Sequence, residues 1–422
     1  MKCKIEKARL SGKIVCPPNK SYTHRAIFLS TLAKGKSQIS NVLLSRDTIA
    51  TINACKNFGA QINTDGSNLT IESSGNINLQ SSQIDASNSG TTIRIAAAIS
   101  SLSDNKITLS GDASLQKRPM QLLLDALESL GASCTSTDGK PPITVKGKIR
   151  GGEVTIPGSV SSQFISALMI AAPKTENGII LNIEGELVSK PYLEATTSAM
   201  KKFGVKVETI IPYKKYKIPR QDYISTNFVI PSDFSSMALL LSAAVLLGGD
   251  FLIHASVGDL PQGDREIIGH LEKMGVRVNI SDNTISVKSP SMLEGGKFDL
   301  SNTPDLLPAM AILALKTSKP IDIYNVKHAR FKETDRIAIL ARELVKIGVM
   351  VKEKEDGLVL QAPREPKGAE LDSSDDHRLF MAFCIAGMFV GNCVVSDPES
   401  VDVSYPSFIE DMNKVGAKIL PF

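Results

Sequence analysis

The feature that most limits the fold of this chain is a pattern that recurs six times at near-constant spacing. Each copy is an amphipathic helix pattern that ends in Gly followed by Ala or Val. The glycines are 72, 73, 71, 73 and 68 residues apart, at Gly59, Gly131, Gly204, Gly275, Gly348 and Gly416. A helix that ends in the left-handed conformation favours glycine, because that conformation penalises a Cβ atom. The spacing therefore indicates six copies of one structural unit, which account for the whole chain.

Each copy also contains a second, more apolar helix, and most contain a hairpin pattern. Apolar runs flank an Asp-Gly or Asp-Asn turn, which favours a β-hairpin, at residues 65–66, 138–139, 282–283 and 356–357. About 40 residues before each glycine, small polar residues of the N-cap type precede the apolar helix. These starts lie at residues 19–21, 88–91, 159–162, 232–235, 302–305 and 374–377. Each unit is therefore predicted to be strand, buried helix, strand, amphipathic helix and hairpin.

Six such units, taken three to a globule, predict two similar domains of the α+β class. The length of 422 residues fits this number, since domains average about 150 residues. A hydrophobic share of 42% supplies enough apolar side chains for their cores. The polar stretch 213–227 indicates the boundary between the two halves. A doubly wound nucleotide-binding fold is not expected.

Basic residues occur where a helix disfavours them. The first turn of a helix carries partial positive charge and unbonded N–H groups, so a base is unfavourable there. Bases nevertheless recur at or beside the predicted helix starts, at Lys20, Arg25, Arg94, Arg118, Lys332, Arg336 and Arg378. One such base is ordinarily balanced by a local carboxylate, but a recurring set is not explained that way. If these helix starts converge, they form a site for a ligand with phosphate and carboxylate groups.

Composition excludes several other classes of protein. The chain has 48 basic and 44 acidic residues, 5% aromatic residues and no Trp, which argues against a nucleic-acid partner. It has no run of 18 apolar residues and no signal-peptide pattern, so no membrane association is expected. Its six cysteines form no CxxC pair, which is typical of reduced thiols in a cytoplasmic protein. No His, Cys and Asp cluster has metal-ligand spacing, so no metal is predicted.

Four residues are candidates for acid-base work, and the residues alone leave their roles open. Glu333 is flanked by Lys332 and lies one turn from Arg336, which favours its charged form. Asp305 opens the fifth apolar helix and is either an N-cap or a functional acid. His24 and His377 are either general bases or core histidines with satisfied hydrogen bonds, and the second interpretation is favoured.

Eight short motifs, in order, resemble those of the EPSP synthases, which belong to the enolpyruvyl transferases. They begin at Pro18, Asn88, Arg118, Gly158, Val188, Pro304, Lys332 and Asp376, and read PNKSYTHR, NSGTTIR, RPM, GSVSSQF, VSKPY, PD, KETDR and DHR. The resemblance runs from about residue 10 to the end. It implies an inside-out α/β barrel fold with two domains, each of three βαβαββ repeats, and an active site in the interdomain cleft. The implied domains are residues 1–16 plus 229–422, and 17–228.

The resemblance also implies a reaction and its residues. The family transfers the enolpyruvyl group of phosphoenolpyruvate to the 5-hydroxyl of shikimate 3-phosphate, with no cofactor and no metal. The residues implied to bind shikimate 3-phosphate are Lys20, Ser21, Arg25, Ser161, Ser162, Gln163, Ser189, Asp305, His328 and Lys332. Those implied to bind phosphoenolpyruvate are Lys20, Gly90, Arg118, Gln163, Arg336 and Arg378, with Asn88, Thr91, Arg94 and His377 in support. A cytoplasmic monomer in the shikimate pathway is expected.

Four of these residues are implied to be catalytic. Asp305 would take the proton of the 5-hydroxyl, and Glu333 with Lys332 would move a proton at the enol carbon. Lys20, which by the resemblance would touch both substrates, is the fourth. Positioned cations would offset the charge of the departing phosphate.

Three positions depart from the family pattern. His328 stands where the family often has Asn, and Val403-Ser404-Tyr405-Pro406 lacks a Lys that often precedes the aromatic-Pro pair. Ile95 replaces a Pro that is common after the Arg of the second motif, so glyphosate response cannot be read from the sequence.

Three alternatives are weighed against this resemblance. The sister enzyme that acts on UDP-N-acetylglucosamine typically has a Cys in the loop that corresponds to residues 111–119, and none occurs here. An RNA-end-processing enzyme on a related fold would need more basic charge. A non-catalytic anion-binding protein would be expected to have lost Asp305 or Glu333, and both are present.

Overall fold

A computed structural model describes residues 1–422 as two compact units. The N-terminal unit comprises Pro18–Pro231 and Asp259–Gln262. The C-terminal unit comprises Met1–Pro17, Ser232–Gly258 and Gly263–Phe422. The four residues Asp259–Gln262 thus belong to the N-terminal unit, although the sequence analysis placed them with the C-terminal half.

Twelve α-helices occur along the chain, and they alternate between buried and amphipathic. They are α1 (Lys20–Leu32), α2 (Arg46–Asn57), α3 (Gly90–Ser100), α4 (Gln121–Ser129), α5 (Ser162–Ala171), α6 (Lys190–Lys202), α7 (Phe234–Leu247), α8 (Ile267–Lys273), α9 (Leu307–Leu313), α10 (Arg336–Lys346), α11 (His377–Val390) and α12 (Phe408–Lys414). None of them is long and apolar enough to cross a membrane.

Twenty-five β-strands accompany these helices. They are β1 (Lys2–Ile5), β2 (Gly12–Val15), β3 (Ala33–Ser40), β4 (Gln61–Asp65), β5 (Asn68–Ser74), β6 (Gln83–Asp85), β7 (Ile107–Ser110), β8 (Ser133–Thr137), β9 (Lys140–Lys146), β10 (Gly152–Pro157), β11 (Ile179–Glu184), β12 (Glu208–Ile211), β13 (Lys215–Ile218), β14 (Tyr223–Ile224), β15 (Asn227–Val229), β16 (Phe251–His254), β17 (Arg277–Ser281), β18 (Thr284–Lys288), β19 (Gly296–Asp299), β20 (Ile321–Tyr324), β21 (Met350–Lys354), β22 (Gly357–Gln361), β23 (Glu370–Leu371), β24 (Cys393–Ser396) and β25 (Ile419–Pro421).

The strands form six sheets, one for each predicted repeat. Most have the order first strand, second strand, then the hairpin, as in β6-β7-β9-β8, β10-β11-β13-β12 and β19-β20-β22-β21. The first two strands are parallel, with Val154 opposite Leu181 in β10 and β11, and the hairpin strands are antiparallel. A parallel pair needs a crossover connection, and the buried helix of each repeat supplies it. The predicted strand-helix-strand-helix-hairpin unit is confirmed.

Three sheets are completed by strands that are distant in sequence. In the first repeat, β14 and β15 both pair in parallel with β3. In the fourth repeat, the parallel partner of β16 is β2, near the N-terminus. In the sixth, β1 lies between β24 and β25, where the other repeats have a hairpin strand. In the sixth sheet, the N-terminal strand thus occupies the place that a hairpin strand has in the other repeats.

The six repeat glycines all have positive φ, between +81° and +111°. At Gly204 a Cβ would also lie 2.6 Å from the side chain of Ile224, so both conformation and space favour glycine there. The turn at Asp282 and Asn283 has positive φ at both residues, as a tight hairpin requires.

The buried helices begin as predicted in five of the six repeats. The side chains of Asn19, Ser89, Ser161, Asp233 and Asp376 accept backbone N–H groups as N-caps. The fifth repeat differs, because a short 3-10 turn, Pro304–Leu306, precedes α9. The side chain of Thr303 caps neither this turn nor α9. Each unit has its own apolar core, built around α1, α3 and α5 in the N-terminal unit and around α7, α9 and α11 in the C-terminal unit.

Candidate functional site

The predicted site residues fall into two groups, one in each unit. In the N-terminal unit they lie at the starts of α1, α3, α5 and α6 and before α4. In the C-terminal unit they lie in the turn before α9, around the start of α10 and at the start of α11. Helix starts present backbone N–H groups, so both groups have the features of anion sites.

The start of α1 holds the first group of cations. Lys20 is the first residue of the helix, and its Nζ lies 3.0 Å from Oδ2 of Asp47. The two side chains are 15% and 6% exposed, so the pair is largely shielded from water. Asp47 is held because Ser45 and Thr48 form a capping box at the start of α2. Asp47 is a functional candidate that the sequence analysis missed, although the Ser-x-x-Thr spacing marks the helix start.

Arg25 lies one turn further along α1 and is buried. Its Nε donates to Thr196 Oγ1 at 2.9 Å, Nη1 to the Ser21 carbonyl at 3.0 Å and Nη2 to the Tyr192 carbonyl at 3.1 Å. Burial lowers the pKa of Arg25, and Tyr22 and Tyr192 oppose this effect. These partners are neutral, so they fix the guanidinium without cancelling its charge.

A second group of cations surrounds Gly90 at the start of α3. A Cβ at Gly90 would lie 3.1 Å from Arg118 Nη1, 3.3 Å from Arg94 Nη1 and 3.6 Å from Gln163 Oε1. The absence of a side chain at Gly90 therefore lets both guanidiniums lie against the helix start. Arg94 donates to Gln163 Oε1, and its guanidinium lies 5.0 Å from the centre of the Phe164 ring.

Neighbouring polar residues orient this group. Arg118 Nη2 donates to Asn88 Oδ1 at 2.9 Å, and Asn88 Nδ2 donates to Asp112 Oδ2 at 2.8 Å. Gln163 Nε2 donates to Thr91 Oγ1 at 3.2 Å. The structure thus brings together Gly90, Arg94, Arg118 and Gln163 with their predicted supporting residues, Asn88 and Thr91.

Three serines complete the candidates of the N-terminal unit. Ser161 caps α5 by accepting from Gln163 N at 3.3 Å, and Ser162 is buried in the first turn. Ser189 precedes α6, is buried and has φ of +57°, a backbone conformation that is unusual for a residue with a Cβ. This strained conformation directs the chain into α6, which carries the partners of Arg25.

Arg336 is the centre of the group in the C-terminal unit. Its side chain is fully buried, and its guanidinium contacts three carboxylates. Nε lies 2.7 Å from Asp376 Oδ2, Nη1 2.8 Å from Asp305 Oδ1 and Nη2 2.6 Å from Glu333 Oε2. Burial alone would lower the pKa of Arg336, but Asp376, Glu333 and Asp305 outweigh it and raise that pKa. Glu333 and Asp305 are therefore fixed by one immobile cation.

Asp305 lies in the 3-10 turn before α9 and does not cap that helix. Its carboxylate lies 3.4 Å from Lys332 Nζ and 3.4 Å from Arg378 Nη2, in addition to Arg336. The N-cap interpretation is wrong, because the proline at 304 starts a 3-10 turn that places Asp305 within it. Lys332 also lies outside a helix, since α10 begins at Arg336 after the N-cap Asp335.

Asp376 is the second functional candidate that the sequence analysis missed. It is fully buried, bonds to Arg336, and caps α11 by accepting from Arg378 N at 2.9 Å and Leu379 N at 3.3 Å. One carboxylate thus positions both predicted arginines of this unit. The signal was its N-cap position before an apolar helix, which was read as capping alone. His377 follows it and is buried.

His328 and His24 are both buried. Burial lowers the pKa of His328 to about 4, with Lys332 lowering it further and Asp305 opposing. His328 is thus close enough to Lys332 and Asp305, both predicted site residues, for their charges to act on it. His24 is a core histidine bonded through Nδ1 to Thr51 Oγ1 at 2.6 Å, and burial, Lys20 and Arg25 lower its pKa. The interpretation as a core histidine, favoured from sequence, fits its complete burial, but its hydrogen bonds are not all satisfied, because Nε2 has no partner.

The stretch that lacks the expected Lys is buried. Val403, Ser404 and Tyr405 are at most 2% exposed, and the Tyr405 hydroxyl donates to the Val15 carbonyl at 3.3 Å. These residues therefore anchor the N-terminal strand region within the C-terminal unit. No group of three or more His, Cys, Asp and Glu side chains is placed to hold a metal ion.

Comparison with solved structures gives the class of this architecture. The 2.37 Å structure of EPSP synthase from Acinetobacter baumannii is 26% identical, with a TM-score of 0.82, and the match covers 99% of each chain. The enolpyruvyl transferase NikO from Streptomyces tendae, at 17% identity, has a TM-score of 0.78 over 99% of this chain and 98% of that one. The fold is the two-domain enolpyruvyl transferase fold that the motifs implied.

Sequence comparison identifies the family within that class. The family model described as EPSP synthase (3-phosphoshikimate 1-carboxyvinyltransferase) matches residues 5–412. A relative from Nitrosopumilus maritimus (strain SCM1) named 3-phosphoshikimate 1-carboxyvinyltransferase is 62% identical over 421 residues, all of both chains. One of the same name from Methanosarcina mazei is 43% identical over 99% of each. The chain belongs to the EPSP synthase family.

Proposed function

We propose that this chain transfers the enolpyruvyl group of phosphoenolpyruvate to the 5-hydroxyl of shikimate 3-phosphate, a step of aromatic amino acid biosynthesis. The observation that carries the proposal is the chemistry of the two groups of residues. The N-terminal group offers Lys20, Arg25, Arg94 and Arg118 to anions, and the C-terminal group combines three cations with three carboxylates. Full-length relatives with the corresponding name support it.

Each substrate carries one phosphate and one carboxylate, and the proposed contacts divide between them. Lys20, Ser21, Arg25, Ser161, Ser162, Gln163 and Ser189 bind shikimate 3-phosphate, together with Asp305, His328 and Lys332. Lys20, Gly90, Arg118, Gln163, Arg336 and Arg378 bind phosphoenolpyruvate. Guanidiniums that are fixed before the ligand arrives lower the conformational cost of binding.

The proposed reaction is an addition followed by an elimination. Asp305 accepts the proton of the 5-hydroxyl while that oxygen bonds to C2 of phosphoenolpyruvate, and C3 receives a proton from the Glu333 and Lys332 pair. A proton then leaves C3, the C2–O bond to phosphate breaks, and the vinyl ether and inorganic phosphate are released. The cations around the phosphate oxygens stabilise the departing charge.

The test is a mixture of the protein with both substrates, followed by NMR of phosphorus and vinyl protons. One phosphate released per vinyl ether is expected. Replacement of shikimate 3-phosphate by UDP-N-acetylglucosamine provides the second arm, and turnover with that acceptor alone would overturn the proposal. A cytoplasmic location and a monomeric state stay predictions.

A further inference from the structure

The residues Asp259–Gln262, here called the strap, interrupt the C-terminal unit and belong to the N-terminal unit. The chain enters the strap after β16 and its following turn, and leaves it into the 3-10 turn Gly263–Glu266 before α8. The neighbouring repeats show no comparable excursion, since their second strand and amphipathic helix lie in the same unit. The repeat architecture alone therefore does not explain why the strap packs with the N-terminal unit.

Three contacts fix the strap to the start of α1. Leu260 packs against the apolar core of the N-terminal unit. The carbonyl of Pro261 accepts a hydrogen bond from the Tyr22 hydroxyl at 2.8 Å. Gln262 Oε1 accepts one from Asn19 Nδ2 at 2.7 Å. All of the strap's named partners thus lie in the core or within the first turn of α1.

Asn19 is the residue through which the strap acts on that turn. Its Oδ1 accepts from Tyr22 N at 2.8 Å, and its carbonyl accepts from Thr23 N at 3.0 Å. Gln262 holds the other end of the same amide group, so it fixes the orientation in which Asn19 can cap α1. Lys20 and Ser21 lie between Asn19 and Tyr22, and both are proposed to bind shikimate 3-phosphate.

Immediately after the strap, the chain is fixed a second time, within the C-terminal unit. The Ser235 hydroxyl donates to Asp264, and the Arg265 guanidinium lies 5.8 Å from the centre of the Phe234 ring. Both partners lie at the start of α7, which is the first buried helix of its own series of repeats. The chain that follows the strap is thus fixed at the start of α7, within its own unit.

We propose that Gln262 is a positioning residue that, through the Asn19 cap, holds Lys20 and Ser21 in the geometry that binds the phosphorylated ring substrate. The assignment of that substrate rests on the proposed function, whereas the effect on the first turn of α1 does not. Gln262 itself touches no reacting atom.

The test compares Gln262→Leu and Tyr22→Phe with two matched controls in the same unit. Gln221→Leu removes a glutamine that accepts from Lys206 N at 2.9 Å, and Tyr223→Phe removes a hydroxyl that donates to the Ile170 carbonyl at 2.9 Å. Gln262→Glu keeps the acceptor oxygen and is the conservative variant. Each protein is measured by hydrogen exchange without substrate and then by steady-state kinetics.

Loss of one such hydrogen bond corresponds to about a fivefold change in an equilibrium. Amide exchange at Tyr22 and Thr23 is expected to quicken about fivefold in Gln262→Leu and Tyr22→Phe. The KM for shikimate 3-phosphate is expected to rise by about the same factor while kcat changes less than twofold. Gln262→Glu is expected to match the wild type, and the two controls are expected to lower thermal stability without moving KM.

Unchanged exchange at Tyr22 and Thr23 would overturn the proposal, as would faster exchange with an unchanged KM, because the strap would then be structural only. An equal KM rise in Gln221→Leu or Tyr223→Phe would also overturn it. Wild-type protein without turnover would instead refute the proposed function, and the exchange measurement would still judge the role of the strap.

Discussion

The arginines of the two groups of site residues have different hydrogen-bond partners. In the N-terminal unit, Arg25 and Arg118 donate to hydroxyl, amide and carbonyl oxygens. In the C-terminal unit, Arg336 donates to three carboxylates, and Arg378 and Lys332 share one of them. Neutral partners orient a cation and leave its full charge available, whereas carboxylates orient a cation and offset part of its charge.

This difference indicates that the two groups have different functions, although they lie in similar repeats. The N-terminal arginines are suited to hold anionic substrate groups, whereas the C-terminal group also holds acids and bases in fixed positions, beside the cations proposed to bind phosphoenolpyruvate. The same motif feature, a base near a helix start, thus has two uses in one chain. Substitutions that remove one kind of partner should separate the two uses.

The largest effect is expected for Glu333→Gln. The amide keeps an oxygen for Arg336 Nη2, now 2.6 Å from the carboxylate, but it cannot exchange a proton. We expect kcat to fall about a thousandfold, since general acid-base groups contribute about 10²–10⁴. The dissociation constant of shikimate 3-phosphate, measured by titration calorimetry, should stay within about twofold.

The matched control for this substitution is Glu343→Gln, on helix α10, which begins three residues after Glu333. Glu343 is fully buried and pairs with Arg342 and Lys346, so its loss should lower stability and leave kcat unchanged. A similar fall in kcat for both variants would mean that Glu333 acts only by holding α10. Unchanged turnover in Glu333→Gln would remove it from the mechanism.

A smaller effect, on stability, is expected for Asp376→Asn. Both Asp376 and Arg336 are fully buried, so removal of one charge leaves the other poorly compensated. We expect a loss of about 3 kcal/mol in urea unfolding, because breaking a buried pair costs about 3–5 kcal/mol and two other carboxylates remain. Asp47→Asn in the N-terminal unit should cost about 1 kcal/mol, since Lys20 keeps some access to water. Equal losses would contradict the contrast between the two groups.

Arg25→Ala tests the anion-binding half of the comparison. Hydrogen bonds to charged groups contribute about 1.5–3 kcal/mol, which corresponds to a rise of about ten- to a hundredfold in the KM for shikimate 3-phosphate. The KM for phosphoenolpyruvate should change much less. Arg25→Lys keeps the charge but not the three bonds to Ser21, Tyr192 and Thr196, and an intermediate value is expected. An equal effect on both substrates would contradict the assignment.

The repeat architecture was predictable because each copy carries local signals. The left-handed glycines, the Asp-Gly turns and the small polar helix starts each depend on a few adjacent residues, and the six sheets confirm them. The strap carries no such signal. Its contacts join Gln262 and Pro261 to residues 243 and 239 positions away, and no local pattern encodes pairings at that distance.

The site was predictable as a set of residues but not as a set of partners. Motif positions identified Arg336 and Asp305. The burial of Arg336 among three carboxylates, however, depends on a 3-10 turn in one repeat and a helix start in another. Asp376 was overlooked because an N-cap already explained it. A residue with one sufficient local role gives no sequence sign of a second one.

The smallest effect compares two carboxyls through the pH dependence of stability. Burial raises the pKa of Asp264 to about 7, with Asp305 raising it further and Ser235 and Arg378 opposing. Between about pH 4 and pH 7, the folded state therefore keeps the proton on Asp264, whereas the unfolded state has lost it. The contribution of Asp264 to the stability of the wild type should therefore fall as the pH rises from about 4 to 7 and level off above that.

Asp264→Asn cannot ionise, so its stability relative to wild type should rise over the same range, on the order of 1 kcal/mol between pH 5 and 7. Asp222, on the N-terminal unit, is the opposite case, because its hydrogen bond and charge interaction with Lys174 lower its pKa. Asp222→Asn should therefore show a flat difference from wild type above pH 5. A flat difference for Asp264→Asn as well, in urea unfolding across this range, would mean that Asp264 is ionised in the folded protein. Asp264 would then not keep a proton near Asp305. The contrast between the N-terminal and C-terminal site residues would rest on the carboxylate partners of Arg336 alone.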